Sequence, residues 1–238
     1  MIHHEIFDRY KLGWDYSKKQ TNGKNLYLFC ESSHISEELQ NSLKNEIFQC
    51  VNSHLFDTFF VEEPTEYKNS HSLHYASEKE AIDGMKNNMN WPRSRIQTFY
   101  RLSKLKNIDL LGCENLELTK LFFDSMKKIN VILEKMGNGE KFVETYNDLI
   151  HQNKEFSQAH LEFERTGHYR SLFSLKYVLK KIKEKKISSA GILMGLEHID
   201  HIKMILEANN IGHSVYFPGV DSNEETAKAN WDFLINNN

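Results

Sequence analysis

The apolar positions of this chain alternate between short continuous runs and four-residue repeats. Leu26–Cys30 is an apolar run of strand length, and it leads into Glu31-Ser32-Ser33-His34. Ser36-Glu37-Glu38 then stands just before Leu39, Leu43, Ile47 and Val51, whose spacing predicts an amphipathic helix with an N-terminal start signal. Leu55–Val61 reads as a second buried strand. It is expected to end at Glu62-Glu63-Pro64, because proline cannot continue a central strand. Strand, helix and strand in this order form a βαβ unit, and a parallel sheet follows from it.

The pattern continues in the same style. Residues 1–25 are polar and mixed, closing on the turn signal Thr21-Asn22-Gly23-Lys24. Asn69–Tyr75 reads as loop, Glu78–Met89 and Ile96–Leu105 as helices, and Ile108–Leu111 as a short strand stopped by Gly112-Cys113-Glu114. A helical region runs from Leu116 to Met136, and Gly137-Asn138-Gly139 stops it. Phe142–Phe156 and Leu161–Lys183 are expected as two further helices, the second ending in a solvated basic cluster that complements the helix dipole. Strand Gly191–Met194, helix Ile199–Ala208 and strand His213–Phe217 complete the series. The expected fold is α/β, with a parallel or mixed central sheet of about four to five strands flanked by helices. Residues 1–238 form one domain, and 115–185 is a helical insertion or lid within it.

Composition narrows the class. The chain has 238 residues, enough for a substantial core, and its 39% hydrophobic and 26% charged content is ordinary for a globular protein. A net charge of -3 argues against a general nucleic-acid binder. No apolar stretch approaches the roughly 20 residues of a membrane span, and the N-terminus is too polar for a signal peptide. Cys30, Cys50 and Cys113 are widely spaced with no CxxC pair, which excludes a zinc ribbon and fits a reducing, cytoplasmic setting. The abundance of Asn and Lys suggests an AT-rich bacterial genome.

Two segments look like matching halves of one site. Leu26–Cys30 runs into Glu31 and His34, and Ala190–Met194 runs into Gly195-Leu196-Glu197-His198. In open α/β sheets ligands sit at the carboxyl ends of the strands. Glu31 and His34 form the first candidate pair, a carboxylate able to fix an imidazole tautomer; the competing reading is a plain capping turn. Glu62 and Glu63 are the second, and strand alternation turns only one of them toward a crevice. His198 is the third, with His201 one turn on along the same helical face. Arg165, in Glu164-Arg165-Thr166-Gly167-His168-Tyr169-Arg170, is the fourth, able to steady a carboxylate or phosphate or simply to form surface salt bridges.

These motifs resemble a superfamily that groups the erythromycin esterases, the TraB and Tiki proteins and the ChaN-like haem-binding proteins. Leu28-Phe29-Cys30-Glu31-Ser32-Ser33-His34 is similar to its strand followed by GE-x-x-H, with Cys30 where the esterase pattern has glycine. Phe60-Val61-Glu62-Glu63 resembles the strand that delivers a glutamate. Glu164-Arg165 with Tyr169 resembles the arginine-led helix, although Thr166 replaces an acidic residue. Met194-Gly195-Leu196-Glu197-His198 is similar to the second G-x-x-H. The resemblance spans residues 26 to 217.

It implies a hydrolase-like enzyme acting on a small-molecule or peptide substrate. Glu31, His34, Glu62 or Glu63, Arg165 and His198 would form the catalytic site, with a histidine-activated water attacking an ester or amide. A divalent metal among His34, Glu62 and His198 is compatible with that set. The alternative is a haem- or metal-binding protein, with Tyr67, His71, His74 and Tyr75 clustered in one loop as candidate ligands. A third reading is a degenerate effector or interaction protein of the same fold.

Overall fold

A six-stranded sheet organises the chain, in the order β1-β6-β2-β5-β3-β4. The computed structural model describes residues 13–16, 25–31, 36–65, 75–89, 91–135, 150–151 and 153–218. The strands are β1 (Gly13–Tyr16), β2 (Asn25–Glu31), β3 (Thr58–Pro64), β4 (Asp109–Glu114), β5 (Ser189–Gly195) and β6 (Gly212–Phe217). The helices are α1 (Glu37–Asn52), α2 (Glu78–Met89), α3 (Arg93–Lys104), α4 (Leu116–Lys135), α5 (Lys154–Glu184) and α6 (Leu196–Ala208). Strands β2 to β6 run parallel, and β1 joins β6 antiparallel at the edge. This is the expected α/β fold. The strand beyond the expected number is β1, in a segment with no apolar run to announce it.

Strand alternation explains the layers. Leu26, Leu28 and Cys30 of β2, Phe60 of β3 and Ile192 and Met194 of β5 face α5 and α6, where they meet Leu175, Val178, Ile199 and Ile202. Phe29, Phe59, Val61 and Leu193 face the other way, onto Leu43, Ile47 and Val51 of α1 and Phe99 and Leu102 of α3. Both faces are covered, so the central strands are apolar throughout rather than alternating. Gly191 allows close packing on the second face: a Cβ there would come within 2.4 Å of the Phe59 ring. Helix α4 packs on α5 through Ile129, Ile132, Leu133 and Phe156.

Local signals set the helix starts. Ser36 caps α1 by accepting from the Leu39 amide, and Glu37 and Glu38 lie in its positive first turn. Asn153 caps α5 in the same manner through the Phe156 amide. Helix α5 is continuous over 31 residues, where two helices were expected. The expected break between Phe156 and Leu161 is absent, and Gly167, near the middle, faces Phe122 of α4, 3.6 Å from the position a Cβ would occupy. Residues 142–149 of the first expected helix lie outside the described residues. No described helix is long and apolar enough to cross a membrane.

The connections carry α1 from β2 to one face and α6 from β5 to the other. Strands β2 and β5 are neighbours, paired in register from Asn25↔Ser189 to Glu31↔Gly195. Their carboxyl ends therefore mark the point where chain direction reverses, and a crevice forms at such a point in an open sheet.

Candidate active site

Four strands end in or beside polar groups at this rim. β2 ends in Glu31, β3 carries Glu62 and Glu63 before Pro64, β4 ends in Glu114 and β5 ends in Gly195. The proline does not end β3 before it, as expected from sequence. The register shifts between Val61 and Pro64, so that Pro64 pairs with Glu114. Proline tolerates this irregular strand end, where the regular ladder is already broken.

Glu62, Glu114, Arg170 and His198 form a buried cluster on the α5 and α6 side. Arg170 Nη2 donates to Glu62 Oε1 at 2.7 Å and to Glu114 Oε1 at 2.6 Å, and Arg170 Nε donates to the same Glu114 oxygen at 3.0 Å. The remaining carboxylate oxygens are also satisfied. Glu62 Oε2 accepts the Gly195 amide at 2.6 Å, and Glu114 Oε2 accepts the Thr119 hydroxyl at 2.9 Å. Gly195 is the N-cap of α6, so the Glu62 carboxylate sits at a helix N-terminus, where the dipole favours negative charge. His198, in the first turn of α6, brings Nε2 to 3.4 Å from Glu62 Oε1 and 3.9 Å from Glu114 Oε1. The Arg170 guanidinium lies 4.4 Å from the centre of the Phe122 ring.

The electrostatics follow from this packing. Burial, followed by repulsion from Glu62, pushes the Glu114 carboxyl up to about 6, against the pull of Arg170 and His198. Within the cluster Glu62 alone keeps appreciable exposure, 11% of its side chain, against 3% for Glu114, 4% for Arg170 and none for His198. Any molecule reaching the cluster meets Glu62 first.

A second buried ion pair lies on the opposite face of the sheet. Arg95 of α3 donates to both oxygens of Glu31, at 2.6 and 3.2 Å, and Gln40 donates to Glu31 Oε1 at 2.6 Å. Trp91 stacks beneath the guanidinium at 3.8 Å. Glu63 belongs to this side. Burial raises its pKa first, while Arg95 lowers it and Glu62 and Glu31 raise it.

The sequence-derived candidates therefore divide. Glu62 and His198 meet. Glu31 and Glu63 lie at the same rim but on the α1 and α3 side. Arg165 is exposed on α5, and the arginine that enters the cluster is Arg170, five residues later. His34 lies outside the described residues. Sequence reasoning missed Glu114, Arg170, Arg95 and Ser171. A signal for Glu114 existed: Cys113-Glu114 closes an apolar run as Cys30-Glu31 does.

Ligand atoms of Glu62, Glu114 and His198 lie within 4.8 Å of one another, and two carboxylates with an imidazole suit a divalent ion. Arg170, however, already supplies a cation at 2.6 to 2.7 Å from the two facing oxygens, and the outer oxygens serve Gly195 and Thr119. The cluster is a carboxylate pair bridged by arginine, and a divalent ion does not fit it unless Arg170 leaves. Of the haem-ligand candidates, Tyr67, His71 and His74 lie outside the described residues. Tyr75 packs on α2, where a Cβ at Gly84 would come within 2.5 Å of its hydroxyl. No protein-family model, no curated protein and no solved structure matches the chain.

Proposed function

We propose that this chain is a hydrolase-type enzyme cleaving an ester or amide bond in a small molecule or peptide, with Glu62 as the base that meets water. The observation that carries this reading is the convergence of Glu62, Glu114, Arg170 and His198 at the carboxyl ends of adjacent strands, with one carboxyl pushed up to about 6. A carboxyl raised toward neutrality beside a second carboxylate and an imidazole is suited to acid–base work near neutral pH. Glu62 takes a proton from water as the oxygen attacks the carbonyl carbon. The proton, shared between Glu62 and His198, then returns to the departing alkoxide or amine. Arg170 holds both carboxylates in place side by side. The resemblance of the strand-end motifs to the erythromycin esterase, TraB, Tiki and ChaN superfamily supports the same reading. A cytoplasmic, reducing setting belongs with it, supported by three free and buried cysteines.

The test is hydrolysis of a panel of p-nitrophenyl esters and aryl amides by the full chain, with and without chelator. Turnover by the wild type, insensitivity to chelator and loss in Glu62→Gln with an unchanged circular dichroism spectrum are expected. Wild-type rates equal to buffer across the panel, or an undiminished Glu62→Gln, overturn the assignment.

A further inference from the structure

Ser171 lies one residue after Arg170 on α5, fully buried, and its hydroxyl has three partners. Its Oγ is 2.7 Å from His198 Nδ1, 3.4 Å from His201 Nδ1 and 3.1 Å from the Gly167 carbonyl oxygen. A hydroxyl has one proton to give and two lone pairs to accept with. The three partners therefore cannot all be acceptors, and the arrangement has two consistent forms.

In the first form His198 is neutral. With the proton on Nε2, 3.4 Å from Glu62 Oε1, Nδ1 carries the lone pair, and the Ser171 hydroxyl donates to it. In the second form His198 is an imidazolium. Its Nδ1–H donates to Ser171, whose hydroxyl turns to the Gly167 carbonyl. In the first form Ser171 also accepts from His201 Nδ1–H; in the second, reached once His201 has given up that proton, it accepts from His198 alone. Rotation of one hydroxyl thus keeps Nδ1 of the fully buried His198 hydrogen-bonded in both protonation states, which a buried group otherwise achieves only at large cost. His201 is half-buried, and its ring meets the His168 ring edge-on, with centroids 4.4 Å apart.

We propose that Ser171 and His201 form a proton path between solvent and the buried His198. The step balances in two transfers. The Nδ1 proton of a His201 imidazolium passes to Ser171 Oγ as the Ser171 hydroxyl proton passes to His198 Nδ1. His201 is left neutral, and His198 becomes the imidazolium facing Glu62. The reverse sequence returns the proton to solvent. The groups around the path are Glu62 of β3, Glu114 of β4 and Arg170 at its inner end, and His168 and Glu164 of α5 with Asp200 of α6 at its outer end. Burial first, then His168 and His198, lower the His201 pKa, so its proton is held loosely and passes on readily. Ser171 and His201 act through His198 and are positioning residues. The inference extends the acid–base reading of the cluster.

The experiment is nitrogen-15 NMR of histidine rings in the labelled full chain, comparing wild type, Ser171→Ala and His201→Gln. In the wild type His198 is the Nε2–H tautomer at alkaline pH. Ser171→Ala mixes the His198 tautomers. His201→Gln keeps the tautomer but slows solvent exchange of the His198 ring proton roughly a hundredfold, the scale of one positioned proton-transfer group. An unchanged exchange rate in His201→Gln, a half-buried and structurally mild replacement, overturns the path even if Ser171→Ala fails to fold. So does an unchanged tautomer in Ser171→Ala. These signals need no substrate: a silent ester panel beside the expected spectra removes the hydrolase reading and leaves the path, and active turnover beside unchanged spectra does the opposite.

Discussion

Glu62 and Glu63 are adjacent in the chain and serve opposite faces of the sheet. Glu62 pairs with Arg170 on the α5 side, while Glu63 lies in the field of Arg95 and Glu31 on the α1 side. The two-residue period of a strand makes this separation unavoidable. Glu62→Gln is therefore expected to abolish hydrolysis, and Glu63→Gln to leave it within a few-fold of wild type. Parallel kinetics on the two variants check this; equal losses would merge the two clusters into one site.

Arg170 binds two carboxylates at once. Arg170→Ala leaves both buried without a cation, a change that typically costs about 3–5 kcal/mol. It also frees the facing oxygens of Glu62 and Glu114 beside His198. Denaturant unfolding is expected to show the loss, and added zinc to recover part of it in the variant but not in the wild type. Calorimetric zinc titration distinguishes the two: wild-type binding as tight as the variant's would show that the arginine does not take the ion's place.

Glu114 gives the protein a defined response to pH. Its folded-state pKa is about 6 against an ordinary 4.5. A raised carboxyl stabilises the fold fully below the unfolded value and loses that contribution as pH rises through the folded one. Stability from this group thus falls by about 2 kcal/mol between pH 4.5 and the region above 6. Glu63, also raised, acts in the same direction. His201 opposes them, because its lowered pKa removes stability as pH falls below the ordinary histidine range. Melting temperature followed across this window is expected to lose much of its downward slope in Glu114→Gln.

The Glu31–Arg95 pair makes a similar prediction on the other face. Arg95→Ala strands a buried carboxylate and is expected to destabilise by about 3–5 kcal/mol. Arg95→Lys recovers only part, because a lysine neither forks across both Glu31 oxygens nor stacks its plane on Trp91. Chemical denaturation of the two variants measures the difference.

Much of this arrangement was legible in the chain. Apolar runs closed by Glu31 and Glu62, and the Gly195–His198 turn, mark strand ends where a rim forms. What one sequence does not carry is which strands are neighbours. β5 lies between β2 and β3, so Glu31 and Glu62 are two strands apart and face opposite ways. Glu114 was passed over because β4 was expected to stop at Leu111, three residues early. Arg170 was passed over for Arg165 because the position of an arginine on a long continuous helix decides what it reaches, and local sequence near a presumed helix start points to the earlier one. β1 has no apolar run at all, since its place is set by backbone pairing with β6.

That pairing joins the first described strand to the last. Every residue from Gly13 to Tyr16 has a partner between Phe217 and Ser214. The backbone of β6 is thereby paired on both sides, by β1 on one and by β2 on the other. Were β1 to peel away, β6 would present open amide and carbonyl groups beside a strongly apolar core, a template on which a second molecule could lay down its own strand. Four residues with no catalytic part thus occupy the place such a strand would take.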